Sequence, residues 1–472
     1  MRRALDDSPD PIVAAPVLSP DELRAIATEV LELASGEMTN VWLDHLATGI
    51  TRVARGRVRL SRSGDRVQML IRTRFGRRIP VELTVSQIDR TSLRQAVAYV
   101  DRVAREQTGD PIETVMPITP RRYGPNTTWH ESTTSAFSDA RHAAVRPLIE
   151  PVINAGLTAA AFVGVAVHSR GYADSQGLMA AAQETDSELT VTAWNANGKG
   201  SGWAGQAARD WNMVRPDEIA RDAIRLTRLA ANPVVFEPGR RTVILDRPAV
   251  AQIVAGMGKF FAARSALSGG PLFDRTIGRV RLGQRVFDPR LTLRSDPNDP
   301  DGGYIPFNDR AYPQVAMTWV GDGAILKNLA YDPEFAASLS IAPSNDAPES
   351  LRLESVSHGT TTVDEMIASC AEGIYVNRFA QLAELDPDSG AVTGVTNGGC
   401  FLVRHGKIEK AIKDLRFVES PWFFLNRVEA IGVAQRASLG YSPWYRTWPI
   451  APTIVPPVMV RDFNFVGLAD NV

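Results

Sequence analysis

Six histidines are the first residues to weigh for chemistry: His45, His130, His142, His168, His358 and His405. A catalytic zinc takes about three protein ligands and keeps a further position open for water. A helix supplies two of those ligands only when they are near neighbours on it. The nearest pair, His130 and His142, stands twelve positions apart. His130-Glu131 begins like a metal motif, but position 135 is Ser. Local spacing therefore assembles no metal site, and the expectation is that this chain supplies no metal ligand. A site gathered from distant histidines stays open.

Nucleophilic chemistry is no better supported. Cys370 sits in the apolar-faced stretch VDEMIASCAE, which reads as a helix with a buried structural thiol. Cys400 follows Gly398-Gly399 on a predicted strand, and neither thiol has a histidine assigned to it by spacing. Gly-Lys-Gly-Ser-Gly at 198–202 has the residues of a nucleophile elbow at the wrong spacing. Lys199 is followed by Gly rather than Ser or Thr, so the segment is no phosphate-cradling Walker loop. Gly200 to Gly205 spells G-x-G-x-x-G with Asp222 downstream, yet Asp222 falls inside an amphipathic helix, not after a second strand. The reading preferred here is structural: Gly198, Gly200, Gly202 and Gly205 allow unusual dihedrals and close packing around Trp203. Asp296 to Gly303 holds three carboxylates but lacks the alternate oxygen spacing and final Glu of a calcium loop, and reads as a solvated turn. No catalytic residue is assigned.

The elements that would position such groups fall into two halves of the 472-residue chain. Residues 1–236 are expected to form an α/β domain of helices and antiparallel strands, and 237–472 a β-rich barrel-like or sandwich-like domain, α+β in all. Ser19 caps an amphipathic helix from Pro20 to Ala34, and a second runs from Thr91 to Glu106. Between them lie short runs at Val58–Leu60, Val67–Arg72 and Ile79–Thr84. Residues 107–140 read as a long connection. The stretch His142–Ala155 reads as helical in part, interrupted by Pro147 and Pro151. Strands are predicted at Thr158–Ser169 and Glu188–Trp194, and a third helix at Pro216–Ala230. Arg241 to Phe260 is a strand running into a helix. Beyond 278 come short strands, among them Ile374–Phe379, Val392–Val395, Cys400–Arg404 and Phe463–Leu468, with helices at Val363–Cys370 and Pro421–Ile431.

Net charge is −1 with only six lysines, so no long-range field favours nucleic acid or an anionic membrane. The N-terminus lacks the apolar core of a signal peptide, the longest apolar run is too short to span a bilayer, and two cysteines make no disulfide framework. A cytoplasmic protein with reduced thiols is expected.

Several segments resemble the TldD/PmbA (TldE) family, also called modulator of DNA gyrase. They are Tyr172–Leu178, the glycine–tryptophan stretch Asn197–Gly205, Glu237–Leu245 with Pro248–Ala251, Gly373–Phe379 with Asp388–Gly390, and His405–Lys410, in order from about 20 to 470. In that family one subunit type carries His-Glu-x-x-x-His on a helix and the other lacks it. The two types pair around a cavity and cut peptides. The helix expected to hold the motif here begins Asp246-Arg247-Pro248, with Gln252 one turn on. The resemblance therefore implies the metal-free type, partnered by a zinc-bearing TldD-like subunit that would hold the Zn, with a peptide or amide as substrate. It also implies that Phe307, Asn308, Tyr375, Asn377 and Arg378 line the cavity. Two alternatives remain: a stand-alone binding or scaffold homodimer, and a natural-product tailoring amide hydrolase with a divergent site. The aromatic stretch Ser438–Ile450 reads equally as a cover for the barrel end and as a partner or substrate surface.

Overall fold

The computed structural model describes residues 17–108, 122–137, 139–196, 198–357, 359–440 and 451–469. Most of the aromatic stretch 438–450, residues 1–16, Asn197 and His358 lie outside the described residues.

Ser19 opens the first helix, α1 (Pro20–Leu33). Its hydroxyl accepts from the Glu22 amide while the Glu22 carboxylate accepts from the Ser19 backbone, which satisfies two end donors at once. Next come β1 (Met38–Ala54), β2 (Arg57–Arg74), β3 (Val81–Val85) and α2 (Arg90–Glu106). α3 (Glu131–Thr134) and α4 (Asp139–Asn154) lead to β4 (Thr158–Asp174), β5 (Met179–Trp194), β6 (Ser201–Ala208) and α5 (Pro216–Leu229). The strands form one antiparallel sheet in the order β3-β2-β1-β4-β5-β6, which leaves β6 at an edge.

Side chains alternate between the two faces of a strand. On one face, Val41, Leu43, Val163, Leu189 and Val191 are buried under the long helices, α1 and α2 over one region and α4 and α5 over another. The opposite face carries the even-numbered residues of β1, β4 and β5. There Tyr172, Ala180 and Ala182 pack on Ile305, Phe307 and Ala311 of the C-terminal half.

That half runs β7 (Gly239–Leu245), α6 (Arg247–Val254), α7 (Ala263–Ser268), β8 (Phe273–Asp274), β9 (Arg279–Val280), β10 (Leu291–Ser295), β11 (Met317–Gly321), β12 (Ile325–Leu326), α8 (Pro333–Ser338) and β13 (Leu351–Ser355). It continues with α9 (Val363–Ser369), β14 (Glu372–Asp386), β15 (Ala391–Arg404), β16 (Lys407–Ala411), β17 (Leu415–Glu419), α10 (Pro421–Phe424), β18 (Val428–Ile431), β19 (Gln435–Arg436), β20 (Thr453–Val455) and β21 (Val458–Leu468). Strands β14, β7, β21, β17 and β15 close into a five-stranded barrel because β14 also pairs with β15. Phe379, Phe417, Phe463 and Phe465 fill it, with the Phe379 and Phe417 ring centroids 4.3 Å apart. A second sheet, β12-β11-β10-β13-β20-β19, ends on β19. The expected α+β class is what the chain adopts.

Several local expectations are corrected. β1 went unread, and the runs at 58–60 and 67–72 are parts of the single strand β2. In both strands polar residues interrupt the apolar alternation, and hairpin pairing carries the backbone through them. β5 begins at Met179, well before the predicted 188, and 392–395 and 400–404 join in β15. Residues 107–140 include α3 and the start of α4. α4 continues through Pro147 and Pro151, because Val145, Leu148, Ile149 and Val152 are buried on its other side and outweigh the lost backbone bonds. Pro421–Ile431 is one helical turn followed by the strand β18. The turn at 296–303 is not simply solvated: Asp299 is buried and both its oxygens take Arg352.

β6 lies so close to α5 that a Cβ on Gly202 would sit 2.5 Å from the Thr227 nitrogen and 2.6 Å from the Ala223 oxygen. Gly202→Ala is expected to lower stability by about 1–3 kcal/mol through overpacking, read as a shift of the urea midpoint.

Candidate functional site

A cleft of about 760 Å³ opens where the two halves meet. One wall is the outer edge of β6, another is α5, and the start of α6 forms the floor. Gln435 to Ser438, at and after β19, complete it. Two sheet edges, β6 and β19, thus border one space.

The start of α6 is tightly committed. The Asp246 carboxylate accepts from the Arg247 amide at 2.7 Å and from the Tyr375 hydroxyl at 2.6 Å, so it caps the helix and ties it to the barrel. Pro248 occupies the first turn, where a missing N–H costs nothing. Gln252 is buried. Its amide donates to the Phe379 carbonyl at 2.9 Å and accepts from the Phe379 N–H at 2.7 Å, as a neighbouring strand would. This donor set does not fit zinc: an arginine, a proline and a glutamine already spent on β14 leave no pair of ligands. Among the described residues no three His, Cys, Asp or Glu side chains form a group able to hold a metal. Cys370 and Cys400 are free and buried, and burial pushes both thiols up in pKa, away from a reactive thiolate.

The glycine–tryptophan stretch forms one side of the cleft. Gly200 packs against the Ala230 carbonyl and Gly205 against Ser438, each too close for a Cβ. Gly198 adopts φ +69° in the turn before β6. Trp203 is buried with the Arg378 guanidinium 4.4 Å from its ring centroid. Burial lowers the Arg378 pKa to about 10, with Glu188 opposing that shift. The five residues that the resemblance placed on one cavity are divided. Asn377 lines the cleft, Tyr375 is buried behind Asp246, and Arg378 lies beside Trp203. Phe307 and Asn308 line a second cavity of about 540 Å³.

Between the cavities stands an ionic wall that sequence reasoning missed. Glu184, Asp186 and Glu188 alternate along β5 and so share one face. Arg209 donates to Glu184 at 3.1 Å, to Asp186 at 3.4 Å and to the Gly303 carbonyl at 2.6 Å. Arg436 reaches both Asp186 oxygens at 2.7 and 2.8 Å. Glu188 accepts from the Ser438 hydroxyl and the Gly440 amide, and its burial raises its pKa. The period-two pattern E-T-D-S-E was the available signal. On the same face His168 sits between two carboxylates, Asp44 at 2.8 Å and Glu184 at 3.3 Å. With an acceptor at each ring nitrogen, the geometry calls for the imidazolium. Burial and Arg170 each pull the His168 pKa down, but the bonds to Asp44 and Glu184 outweigh them and the net shift is upward. Burial pushes Asp44 up, yet His168 and Arg170 bring it down to about 2. Glu184 is likewise raised by burial and brought well below the usual range by Arg209 and His168.

The profile of the PmbA/TldA metallopeptidase C-terminal domain matches residues 238–467, the barrel half. A protein named "Metalloprotease" from Archaeoglobus fulgidus is 23% identical over 207 residues, 42% of this chain and 47% of that relative. The match thus spans about half the length of that relative. The C-terminal half of the chain thus carries the C-terminal domain of the PmbA/TldA metallopeptidase family. Solved structures agree in fold across nearly the whole length. TldE from Thermococcus kodakarensis superposes with a TM-score of 0.76 at 14% identity, covering 94% of this chain and 100% of that one. A protein named as a modulator of DNA gyrase from Bacteroides thetaiotaomicron gives 0.76 at 14%, covering 95% and 99%. One from Thermotoga maritima gives 0.74 at 16%, covering 94% and 99%. These structures extend the likeness in fold over the N-terminal half, beyond the matched profile. Among the described residues no helix is long and apolar enough to cross a membrane.

The raised His168 pKa contributes stability that is complete below its ordinary value of 6.5 and is lost as pH rises through the folded value. The lowered Asp44 and Glu184 contribute stability present above the carboxylate range and lost as pH falls through their folded values, about 2 for Asp44. Melting temperature is expected to fall above pH 6.5, and His168→Gln to flatten that alkaline limb while lowering the plateau.

Proposed function

We propose that this chain is the metal-free subunit of a heterodimeric peptidase, paired with a zinc-bearing TldD-like relative, and that it shapes the cavity in which a peptide or amide bond is cut. The observation that carries this reading is the state of α6. Where the zinc-type subunit is expected to hold its motif, Asp246 caps the helix onto Tyr375 and Gln252 is bracketed to Phe379. These side chains brace the cleft and donate nothing to a cation.

In the assembled pair, zinc held by the partner would polarise the scissile carbonyl and its attacking water. The residues of this chain bind and orient. The edge of β6 offers main-chain donors and acceptors to an extended peptide, the strand-addition mode of recognition. α5 and the start of α6 limit how deeply that peptide sits. In this reading the complex works in the cytoplasm, a compartment that keeps thiols such as Cys370 and Cys400 reduced. Nucleic acid has no role in this scheme, since a net charge of −1 gives it no attraction.

The test is co-purification with a zinc-type relative, followed by peptidase assays on each chain alone and on the mixture. The expected outcome is a stable one-to-one complex, with activity in the mixture at least tenfold above the partner alone. Full activity of the partner by itself would sink the proposal. A homodimer indifferent to the partner would favour the scaffold reading. Stoichiometric metal in this chain purified alone would favour a divergent amide hydrolase.

A further inference from the structure

We propose that the outer part of the β1–β2 hairpin recruits acidic peptides: Arg52, Arg62 and Arg66 form a row of cations that pairs with the carboxylates of a Glu- or Asp-rich segment and leads it to the second cavity. This deepens the peptidase reading above by naming a substrate class, and rests on it.

Residues 52–66 hold six arginines and one aspartate in a molecule whose net charge is −1. All six arginines are exposed, and among the described residues none makes a hydrogen bond or an ion pair. The one aspartate, Asp65, lies on the helix side of the sheet, where its carboxylate is 3.1 Å from His45 Nε2. Arg55 and Gly56, at φ 52° and 70°, turn the chain at the tip, with Arg57 and Arg59 just beyond.

Strand alternation sorts the side chains. Thr51, Ser61 and Ser63 face α4, where the Arg141 guanidinium donates to them at 2.8, 3.3 and 3.3 Å. Arg52 and Arg62 therefore stand on the opposite face. Arg66 stands there too, paired opposite Leu46, and lines the second cavity. Arg52 is opposite Leu60 and Arg62 opposite Ile50. The row thus spans β2 positions 60–66, roughly 20 Å at ~3.4 Å per residue. An extended peptide of about six residues covers that length.

Charged side chains on an edge strand can serve only to block unwanted pairing. Arg52 does not fit that role. It sits on β1, which is hydrogen-bonded on both sides, with Leu60 of β2 and Phe162 of β4 as its opposite residues. It guards no edge, yet it is exposed and unpaired on the same face as Arg62 and Arg66. A negatively charged ligand answers all three. Nucleic acid suits the row poorly. The cavity it leads to is lined by Glu184, Asp186, Asp309, Asp346 and Glu349, which repel a continuous polyanion. The side chains between the arginines, Leu46, Ile50 and Leu60, are aliphatic rather than the aromatic platforms on which bases stack. A peptide whose acidic stretch ends at Arg66 and continues with neutral or basic residues matches both parts.

The test uses the full chain and fluorescence anisotropy with three labelled, capped eight-residue peptides, in which Ala alternates with Glu, with Ser or with Arg. At about 50 mM NaCl the Glu peptide is expected to bind about tenfold tighter than the Ser peptide. Exposed ion pairs are individually weak and screened, so the advantage should shrink to about threefold or less at about 500 mM. Arg52→Gln/Arg62→Gln/Arg66→Gln should erase the advantage. Arg77→Gln/Arg94→Gln/Arg228→Gln, the same loss of charge at exposed positions elsewhere, should keep it. Equal binding of the Glu and Ser peptides, or an advantage that both triple variants lose alike, overturns the recruiting surface. So does a twenty-nucleotide single strand that binds tighter than the Glu peptide and is lost in the first variant, which assigns the row to nucleic acid. If that variant does not fold, an advantage unmoved by salt overturns the proposal. These titrations need no zinc subunit, so their failure leaves the peptidase reading standing. That reading falls instead if mixing with the zinc-type relative brings no gain in cleavage of the Ser peptide.

Discussion

Three carboxylates on one face of a strand can meet another half of the same protein only if each is answered. Glu184, Asp186 and Glu188 stand on the sheet face opposite the helices, and the C-terminal half supplies Arg436, Ser438 and the Gly440 amide to them. Arg209, at the end of β6, completes the set and reaches on to the Gly303 carbonyl. Removing one member of such a buried set costs about 3–5 kcal/mol, since the remaining charge is left without a partner. The seam therefore fixes how the barrel half sits on the N-terminal sheet, and both cavities are consequences of that placement.

Once the halves are fixed, the two sides of the large cleft acquire opposite characters. At the start of α6 two polar side chains are engaged: Asp246 with Tyr375, Gln252 with Phe379. At β6, among the described residues, no strand pairs with the outer edge. A site with closed side chains and an open strand edge suits holding an extended chain better than activating water. That asymmetry is why the proposed role is a cradle and the chemistry is assigned to a partner.

Much of this was legible before folding was considered. The capped helix at 20, the amphipathic faces at 91–106 and 216–229, and the strand-to-helix passage at 241–254 all follow from apolar period and cap residues, which are local signals. The long strands β1 and β2 were not legible as such. Polar residues such as Asp44, His45 and Thr48 break their alternation, and only pairing with each other and with β4 extends the backbone through them. α4 survives two prolines for a similar reason, since its buried side outweighs a local rule. The acidic alternation on β5 was visible in the letters, but its strand was placed too far downstream to include it.

What the sequence determined by itself was composition-bound: which residue types exist to do chemistry, and where helices and strands begin by cap and period. It also carried the glycine–tryptophan stretch, whose small residues are required wherever backbones touch. The tertiary structure alone decided which distant groups meet. Arg436 and Asp186 are 250 positions apart, as are Ser438 and Glu188, and Asn377 reaches Trp203 across 174. Contacts of that separation carry no local spacing rule. They exist because closing the barrel and docking it on the sheet brings their strands side by side, and buried charges and strand edges are satisfied by whatever that docking presents.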